Sequence, residues 1–169
     1  QIGFNGGYRK EAADVARHFV ETFEPYDHIV APSGSCSAMI KNYYPELFAD
    51  DPNMRDRAIA VGEKTHEFTD FIVNVLGVSQ VGGTSQGLVT YHDACHLQHA
   101  QGVTAEPRRV LATIPELDVR EVPEAGICCG SAGIYNLVEP TTATDLGDRK
   151  ATHIRTTGAD AVVSSNPGC

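Results

Sequence analysis

The residues best able to do chemistry are five cysteines at positions 36, 95, 128, 129 and 169. From Cys95 onward they follow a fixed pattern, with 32 residues before the adjacent pair Cys128-Cys129 and 39 between that pair and Cys169. An odd number of cysteines does not suit a disulfide framework. Thiolates that bind a metal centre are therefore the favoured interpretation.

The adjacent pair bears on the kind of metal. A structural zinc ion usually takes its thiolates from C-x₂₋₄-C turns. Side chains of neighbouring cysteines are expected to diverge, which suits a multi-iron cluster in which each thiolate binds a different iron. Gly130 would let the backbone approach the sulfurs and direct N–H groups at them. We favour an iron–sulfur cluster, with zinc, a vicinal disulfide and inert buried thiols as the alternatives.

Polar residues near the cysteines have simpler interpretations. His92 and His96 flank Cys95 and could bind metal or carry protons, although such histidines more often fix a turn by hydrogen bonding. Asp93 could cap the helix after Cys95 or orient a histidine. Cys36 lies at a predicted helix N-terminus. We interpret it as a ligand of a second metal site, incomplete in this chain and called the first site below, rather than as a nucleophile. The glycines form no G-x-G-x-x-G phosphate loop, which argues against nucleotide binding.

The segments between the cysteines alternate between amphipathic helices and short apolar strands. Helices are predicted over 8–24, 36–48, 51–76 (with a break near 62), 106–114 and 140–156. Strands are predicted over 27–31, 88–92, 118–122 and 161–164. This order indicates an α/β fold with largely parallel sheets flanked by helices. Strands ending before Cys95 and Cys169 would deliver both thiols to the carboxyl edge of a sheet, where open α/β folds place their sites.

An internal repeat relates the two halves. Residues 29–36 align without gaps on 162–169, and each copy runs from a helix through an apolar strand to a small-residue turn ending in cysteine. A first-copy equivalent of the Cys-Cys pair would fall at about position −4, so we expect a duplicated unit whose first copy is truncated at its N-terminus. The predicted division is 1–78 for the first unit, 79–87 for a linker and 88–169 for the second. The chain is expected to be a fragment cut at both ends.

Composition narrows the class of partner. The chain has 169 residues, with 13 Lys and Arg against 22 Asp and Glu, giving a net charge of −9. This acidic balance argues against nucleic-acid binding, which needs clustered cations. No apolar run is long enough to span a membrane, and no leader pattern is present. We expect a cytoplasmic protein that reaches the inner face of the membrane only through its partners.

Three motifs carry a resemblance to a known family. They are Tyr-His-Asp-Ala-Cys-His-Leu at 91–97, Cys-Cys-Gly-Ser-Ala-Gly-Ile-Tyr-Asn at 128–136 and Asn-Pro-Gly-Cys at 166–169. Together they resemble the cysteine-rich CCG domain family, which includes a subunit of heterodisulfide reductase and iron–sulfur subunits of glycolate and L-lactate oxidation. The second half most resembles the glycolate oxidase iron–sulfur subunit. The first half, through 5–9 and 31–36, is closer to the L-lactate utilisation iron–sulfur protein.

The resemblance implies two pseudo-symmetric CCG units that carry iron–sulfur clusters. The resemblance implies that the second unit holds a [4Fe-4S] cluster. By position, its ligands are Cys95, Cys128, Cys129 and Cys169, with Gly130 beside them. Cys36 matches the last ligand of the incomplete first site. Heterodisulfide reductase adds a further cysteine and holds a non-cubane cluster, so the cluster geometry stays open.

The resemblance also implies a function. It predicts an electron-transfer subunit of an oxidoreductase complex that oxidises a 2-hydroxy acid, glycolate or lactate, with a flavoprotein or other subunits as partners. No residue of this chain is assigned to catalysis, and the chain alone is expected to be inactive. Nothing in the sequence selects glycolate over lactate. The alternatives are a heterodisulfide reductase-like thiol/disulfide reductase subunit and a zinc-bound or metal-free scaffold.

Overall fold

The strands form two parallel sheets, which confirms the predicted α/β class. The computed structural model describes residues 1–78, 80–131 and 133–169. Strand β1 (Ile29–Ala31) pairs with β2 (Thr65–Glu67) in one sheet. In the other, β3 (Gly87–His92) lies between β4 (Leu117–Glu121) and β5 (Ala161–Ser164). All of these pairings are parallel, so the carboxyl ends of β3, β4 and β5 meet at one edge.

Helices connect and flank these strands, as parallel pairing requires. In chain order they are α1 (Ile2–Asn5), α2 (Arg9–Phe23), α3 (Gly34–Ala38), π1 (Met39–Tyr43), α4 (Tyr44–Leu47), α5 (Pro52–Glu63), α6 (Phe68–Asp70), π2 (Phe71–Val75), α7 (Cys95–Gln101), α8 (Ala105–Leu111), α9 (Tyr135–Val138) and α10 (Pro140–Thr156). Asp51 caps α5 by accepting a hydrogen bond from the Met54 amide at 3.1 Å. None of the helices described is both long and apolar enough to cross a membrane.

The segment predicted as a helix over 51–76 is helical over most of its length, but the break predicted near 62 contains a strand. Helix α5 ends at Glu63, the chain then forms β2, where Thr65 pairs with Ile29 of β1, and α6 and π2 continue the helical structure from Phe68 to Val75. The short parallel strand forms between the helices because the edge of β1 offers its unpaired backbone groups. The predicted linker, 79–87, extends one residue too far, since Gly87 already belongs to β3. Residues 80–86 have no regular structure, and Ser79 lies outside the described residues. The division into two units stays a prediction.

Apolar packing holds the helices on the sheets in two clusters. The larger cluster brings α2 and α5 together over β1; its buried members are Ala16, Val20, Ile29, Ile40, Phe48, Met54, Ala58 and Val61. A second, beneath α7, contains Ala94, Leu97 and Val103. Helices α3 and α7 approach so closely that a Cβ on Gly34 would lie 2.6 Å from the Leu97 Cβ. Glycine at position 34 is what permits this contact.

The internal repeat extends through three elements of the structure. Moving the bounds of α1 by 133 positions gives those of α9, and the same shift carries the ends of α2 and β1 onto the ends of α10 and β5. Equivalent residues of the two copies also meet, since Ser33 donates a hydrogen bond to the Asn166 side chain at 2.8 Å. Contact between equivalent positions is what a local two-fold relation produces.

Candidate metal centre

Four cysteines line one cavity of about 210 Å³ at the carboxyl edge of the three-stranded sheet. Cys95 begins α7, three residues after β3 ends, and Cys169 lies beyond the end of β5. Cys128 and Cys129 lie on the loop between β4 and α9. Residues far apart in sequence therefore meet because three parallel strands end at the same edge.

The adjacent cysteines do not point apart, in contrast to the sequence expectation. Cys128 and Cys129 both line this cavity, and their thiols interact with each other. The loop can turn both side chains inward because it leaves the regular strand geometry, in which successive side chains alternate. Divergence of neighbouring side chains thus gives no argument against a single ion. The cavity, at about 210 Å³, is also large enough for a group of several atoms.

Coupling among the thiols favours partial deprotonation. The Cys129 and Cys95 thiols lower the pKa of Cys128 far below its usual value, and Cys129 also lowers the pKa of Cys169. The pKa values of Cys95 and Cys129 are raised, chiefly by the Cys128 sulfur beside them. The lowered pKa values favour the thiolate, which is the form that binds metal.

Two N–H groups point at sulfur atoms. The Gly130 amide lies 3.3 Å from Cys128 Sγ, and Asn166 Nδ2 lies 3.1 Å from Cys169 Sγ. Gly130 has a φ of 87°, and a Cβ there would meet the Ala143 carbonyl oxygen at 2.2 Å. Only glycine fits this turn, which brings the amide to the sulfur as predicted from the sequence.

His92 faces the same group of sulfurs. It is 5% exposed, and a ring nitrogen lies within 4.8 Å of the sulfurs of Cys129 and Cys169. Neither ring nitrogen makes a hydrogen bond of ordinary geometry to any residue that the structure describes, although the imidazole is close enough to Cys169 to help Cys129 lower the pKa of that thiol. The expected role in fixing a turn is therefore not seen. His96 is placed differently, with Nδ1 at 3.6 Å from Cys95 Sγ.

Asp93 pairs with an arginine instead of capping α7. Its buried carboxylate accepts hydrogen bonds from both Nη atoms of Arg108, at 2.7 and 2.8 Å. The Arg108 guanidinium also reaches Glu121 at the end of β4. Asp93 holds the pKa of Arg108 above its ordinary value, with Glu121 adding to the effect. The residue capping α7 is Ala94, which offers no side-chain cap.

Cys36 lies apart from the four other cysteines. It is exposed on α3, and its amide donates to the Ser33 hydroxyl at 3.4 Å. Within the described residues, the wall of the thiol-lined cavity includes its neighbour Ser35 but not Cys36. Its assignment to an incomplete first site stays a prediction.

Sequence reasoning missed two supporting residues. Lys150 is 3% exposed, and its Nζ donates to the Ala125 carbonyl at 2.8 Å, which steadies the loop leading to Cys128. Burial lowers the pKa of this ammonium. Asn166 accepts hydrogen bonds from Ser33 and Ser35 through Oδ1 while Nδ2 faces Cys169. Its place in the Asn-Pro-Gly-Cys motif was the available signal for Asn166; a lysine in an amphipathic helix gives none.

Comparison with known proteins identifies similar sequences over the whole chain. A family model described as a cysteine-rich domain (CCG) matches residues 1–41 and 89–169. The chain is 39% identical over 169 residues to lactate utilization protein A 1 of Bacillus cereus (strain AH820) and to lactate utilization protein A of Bacillus thuringiensis (strain Al Hakam). Lactate utilization protein A 2 of Bacillus anthracis (strain CDC 684 / NRRL 3495) matches equally well. Each alignment covers all of this chain and 70% of the relative.

Proposed function

The chain belongs to the cysteine-rich CCG domain family, and from that premise we propose that it is the iron–sulfur, electron-transferring subunit of a lactate-oxidising system. The observation that carries the proposal is the group of four cysteines around one cavity at the end of three parallel strands. The relatives named for lactate utilisation support lactate as the substrate of the system. Glycolate is the alternative substrate.

The ligands in this proposal are Cys95, Cys128, Cys129 and Cys169. Four thiols match the Cys₄ ligation of iron–sulfur clusters, and a [4Fe-4S] cluster is the type we propose. When bound, such a cluster supplies one-electron transfer. A flavoprotein or another subunit of the complex would act on the 2-hydroxy acid, because no residue of this chain is proposed to do so.

The residues around the sulfurs have distinct tasks in this role. The N–H groups of Gly130 and Asn166 donate to thiolate sulfurs, and such bonds tune the potential of a sulfur-ligated centre. Lys150 holds the loop that carries Cys128 and Cys129. Arg108 ties Asp93, next to the start of α7, to the end of β4, so two of the strand ends keep their relative positions.

A complementation experiment tests this function. The gene that encodes the chain would be expressed in a bacterium that lacks its own lactate utilization protein A, and growth and oxygen uptake on L-lactate would be measured. We expect restored growth on lactate, lost when Cys128 and Cys129 are both replaced by Ser and retained for Cys36→Ser. Restoration by the double variant would contradict the proposal. If the gene restored growth on glycolate in a glycolate-oxidation mutant but did not restore growth on lactate, glycolate would replace lactate as the proposed substrate.

A zinc-bound scaffold is the second candidate function, because three donor side chains lie close enough together to bind one ion. The donor atoms of His92, Cys129 and Cys169 lie within 4.8 Å of one another, which is close enough for one tetrahedral ion to bind after a small contraction. Metal analysis of the purified protein separates the two candidates. Zinc without iron or sulfide would favour the scaffold.

A further inference from the structure

The buried histidine behind the cavity, beside the sulfurs of Cys129 and Cys169, lacks an ordinary hydrogen-bond partner among the described residues. His92 is buried, and its ring nitrogens make no hydrogen bond of ordinary geometry within the described part of the chain. Buried polar groups of folded proteins are nearly always hydrogen-bonded, since their lost bonds to water are otherwise not replaced. A group bound among the sulfurs would supply the partner that His92 lacks.

Three other histidines of the chain have a hydrogen-bond partner on a ring nitrogen. His66 Nδ1 lies 2.8 Å from an Asp70 carboxylate oxygen, and His99 Nε2 lies 3.0 Å from the Gly126 carbonyl oxygen. His153 Nδ1 lies 2.9 Å from the Pro123 carbonyl oxygen. The missing hydrogen-bond partner of His92 is therefore not a general property of the histidines in this fold.

The position of His92 is fixed by the sheet. It is the last residue of β3, and its backbone is in register with Ser164 of β5. This pairing anchors the backbone that carries the imidazole, which lies beside Cys129 and Cys169, with donor atoms of the three residues within 4.8 Å of one another. Imidazole nitrogen and thiolate sulfur bind the same borderline metals, iron and zinc among them.

We propose that His92 is a direct ligand of the metal centre, through one ring nitrogen, beside Cys129 and Cys169. The inference rests on the proposed iron–sulfur function and adds a fifth protein donor to the four thiolates, so one iron of the cluster would carry the imidazole as well as a thiolate. A neutral imidazole brings no negative charge, so its ligation raises the reduction potential relative to a thiolate at the same place. The cysteine pattern alone would not reveal this ligand.

The test uses the purified chain, produced with ¹⁵N-labelled histidine and reconstituted without oxygen with iron and sulfide. Pulsed electron paramagnetic resonance on the dithionite-reduced sample measures the hyperfine coupling of nitrogen to the cluster. We expect a strongly coupled ¹⁵N that disappears in His92→Ala and persists in His96→Ala. His96 is the matched control because it too lies beside a proposed ligand, with Nδ1 at 3.6 Å from Cys95 Sγ. His92→Cys should lower the reduction potential relative to the wild type.

The outcomes separate this inference from the function on which it rests. A wild-type sample with no iron–sulfur signal overturns both. A normal iron–sulfur signal with no strongly coupled nitrogen, or a coupling lost only in His96→Ala, overturns the role of His92 and leaves the electron-transfer proposal intact. The labelled wild type gives this answer by itself, so the test remains decisive where His92→Ala fails to fold.

Discussion

At the scale of single residues, Gly130 shows how the motif is built around backbone geometry. Its positive φ disfavours any side chain, and its Cα faces the Ala143 carbonyl oxygen so closely that a Cβ would overlap it. The same turn brings the Gly130 amide to the Cys128 sulfur. The glycine of the Cys-Cys-Gly motif is thus required by sterics as well as by its hydrogen bond.

Gly130→Ala should therefore destabilise the fold more than replacement of a glycine that has a positive φ but open space around its Cα. Gly7 is the matched control, since its φ is 82° and no described atom lies within 4 Å of the position that a Cβ would take. We expect Gly7→Ala to cost about 1–2 kcal/mol. Gly130→Ala should cost about 1–3 kcal/mol more because of overlap. Urea unfolding of both variants measures the difference, and equal losses would contradict the steric explanation.

Sequence reasoning at this scale finds reactive residue types but not their partners. The cysteines are visible because a thiol pattern is local information. The pairing of Asp93 with Arg108, and the absence of a partner for His92 among the described residues, depend on how α8 and β5 pack beside β3. Such facts come from tertiary structure, which spacing does not encode.

At the scale of elements, the ion pair of Asp93 and Arg108 joins the end of β3 to α8. The Asp93 side chain is 3% exposed, so the Arg108 guanidinium takes the place of the water that an exposed carboxylate would bind. Arg108→Met should reduce the free energy of unfolding by about 3 kcal/mol, because it leaves a buried carboxylate unpaired. Denaturant unfolding at neutral pH gives the value.

Two further variants make the Arg108 prediction specific. Arg109→Met removes an exposed neighbouring charge and should change stability by no more than about 0.5 kcal/mol. Adding Asp93→Asn to Arg108→Met should recover part of the loss, since no uncompensated charge remains. An Arg108→Met variant as stable as Arg109→Met would show that the pair does not hold these elements together.

Elements with clear local signals were predicted well, and those without them were not. The bounds predicted for α10 and β5 coincide with the observed ones, helped by Pro140 in the first turn and by Gly158, whose φ is 66°, after the last. Strand β2 was missed because Thr65–Glu67 is short, polar and without an apolar alternation. It is a strand only because β1 pairs with it.

At the scale of the whole molecule, Asn166 connects the repeat to the candidate centre. Its Oδ1 accepts hydrogen bonds from the Ser33 hydroxyl and from the amide and hydroxyl of Ser35, while Nδ2 donates to the Cys169 sulfur. The turn of one copy therefore orients the carboxamide that contacts a sulfur of the other. Packing of the two copies and the geometry of the centre are coupled through this side chain.

Removing that side chain should weaken the fold. Asn166→Ala leaves the donors of Ser33 and Ser35 without their acceptor, which should lower the free energy of unfolding by about 1–3 kcal/mol. Asn136→Ala, at an exposed asparagine, is the control and should have little effect. Urea unfolding compares them. Equal stability of the two variants would mean that the contact between copies contributes nothing measurable.

The most direct measurement of the proposed centre is the iron and acid-labile sulfide content of the chain, purified and reconstituted without oxygen. We predict about four of each per chain, as for one [4Fe-4S] cluster. Both should be lost when Cys128 and Cys129 are replaced by Ser and kept in Cys36→Ser, because Cys36 lies outside the cavity wall. Zinc in place of iron, no metal in a folded protein, or a full iron and sulfide content in the double variant would contradict the proposed cluster.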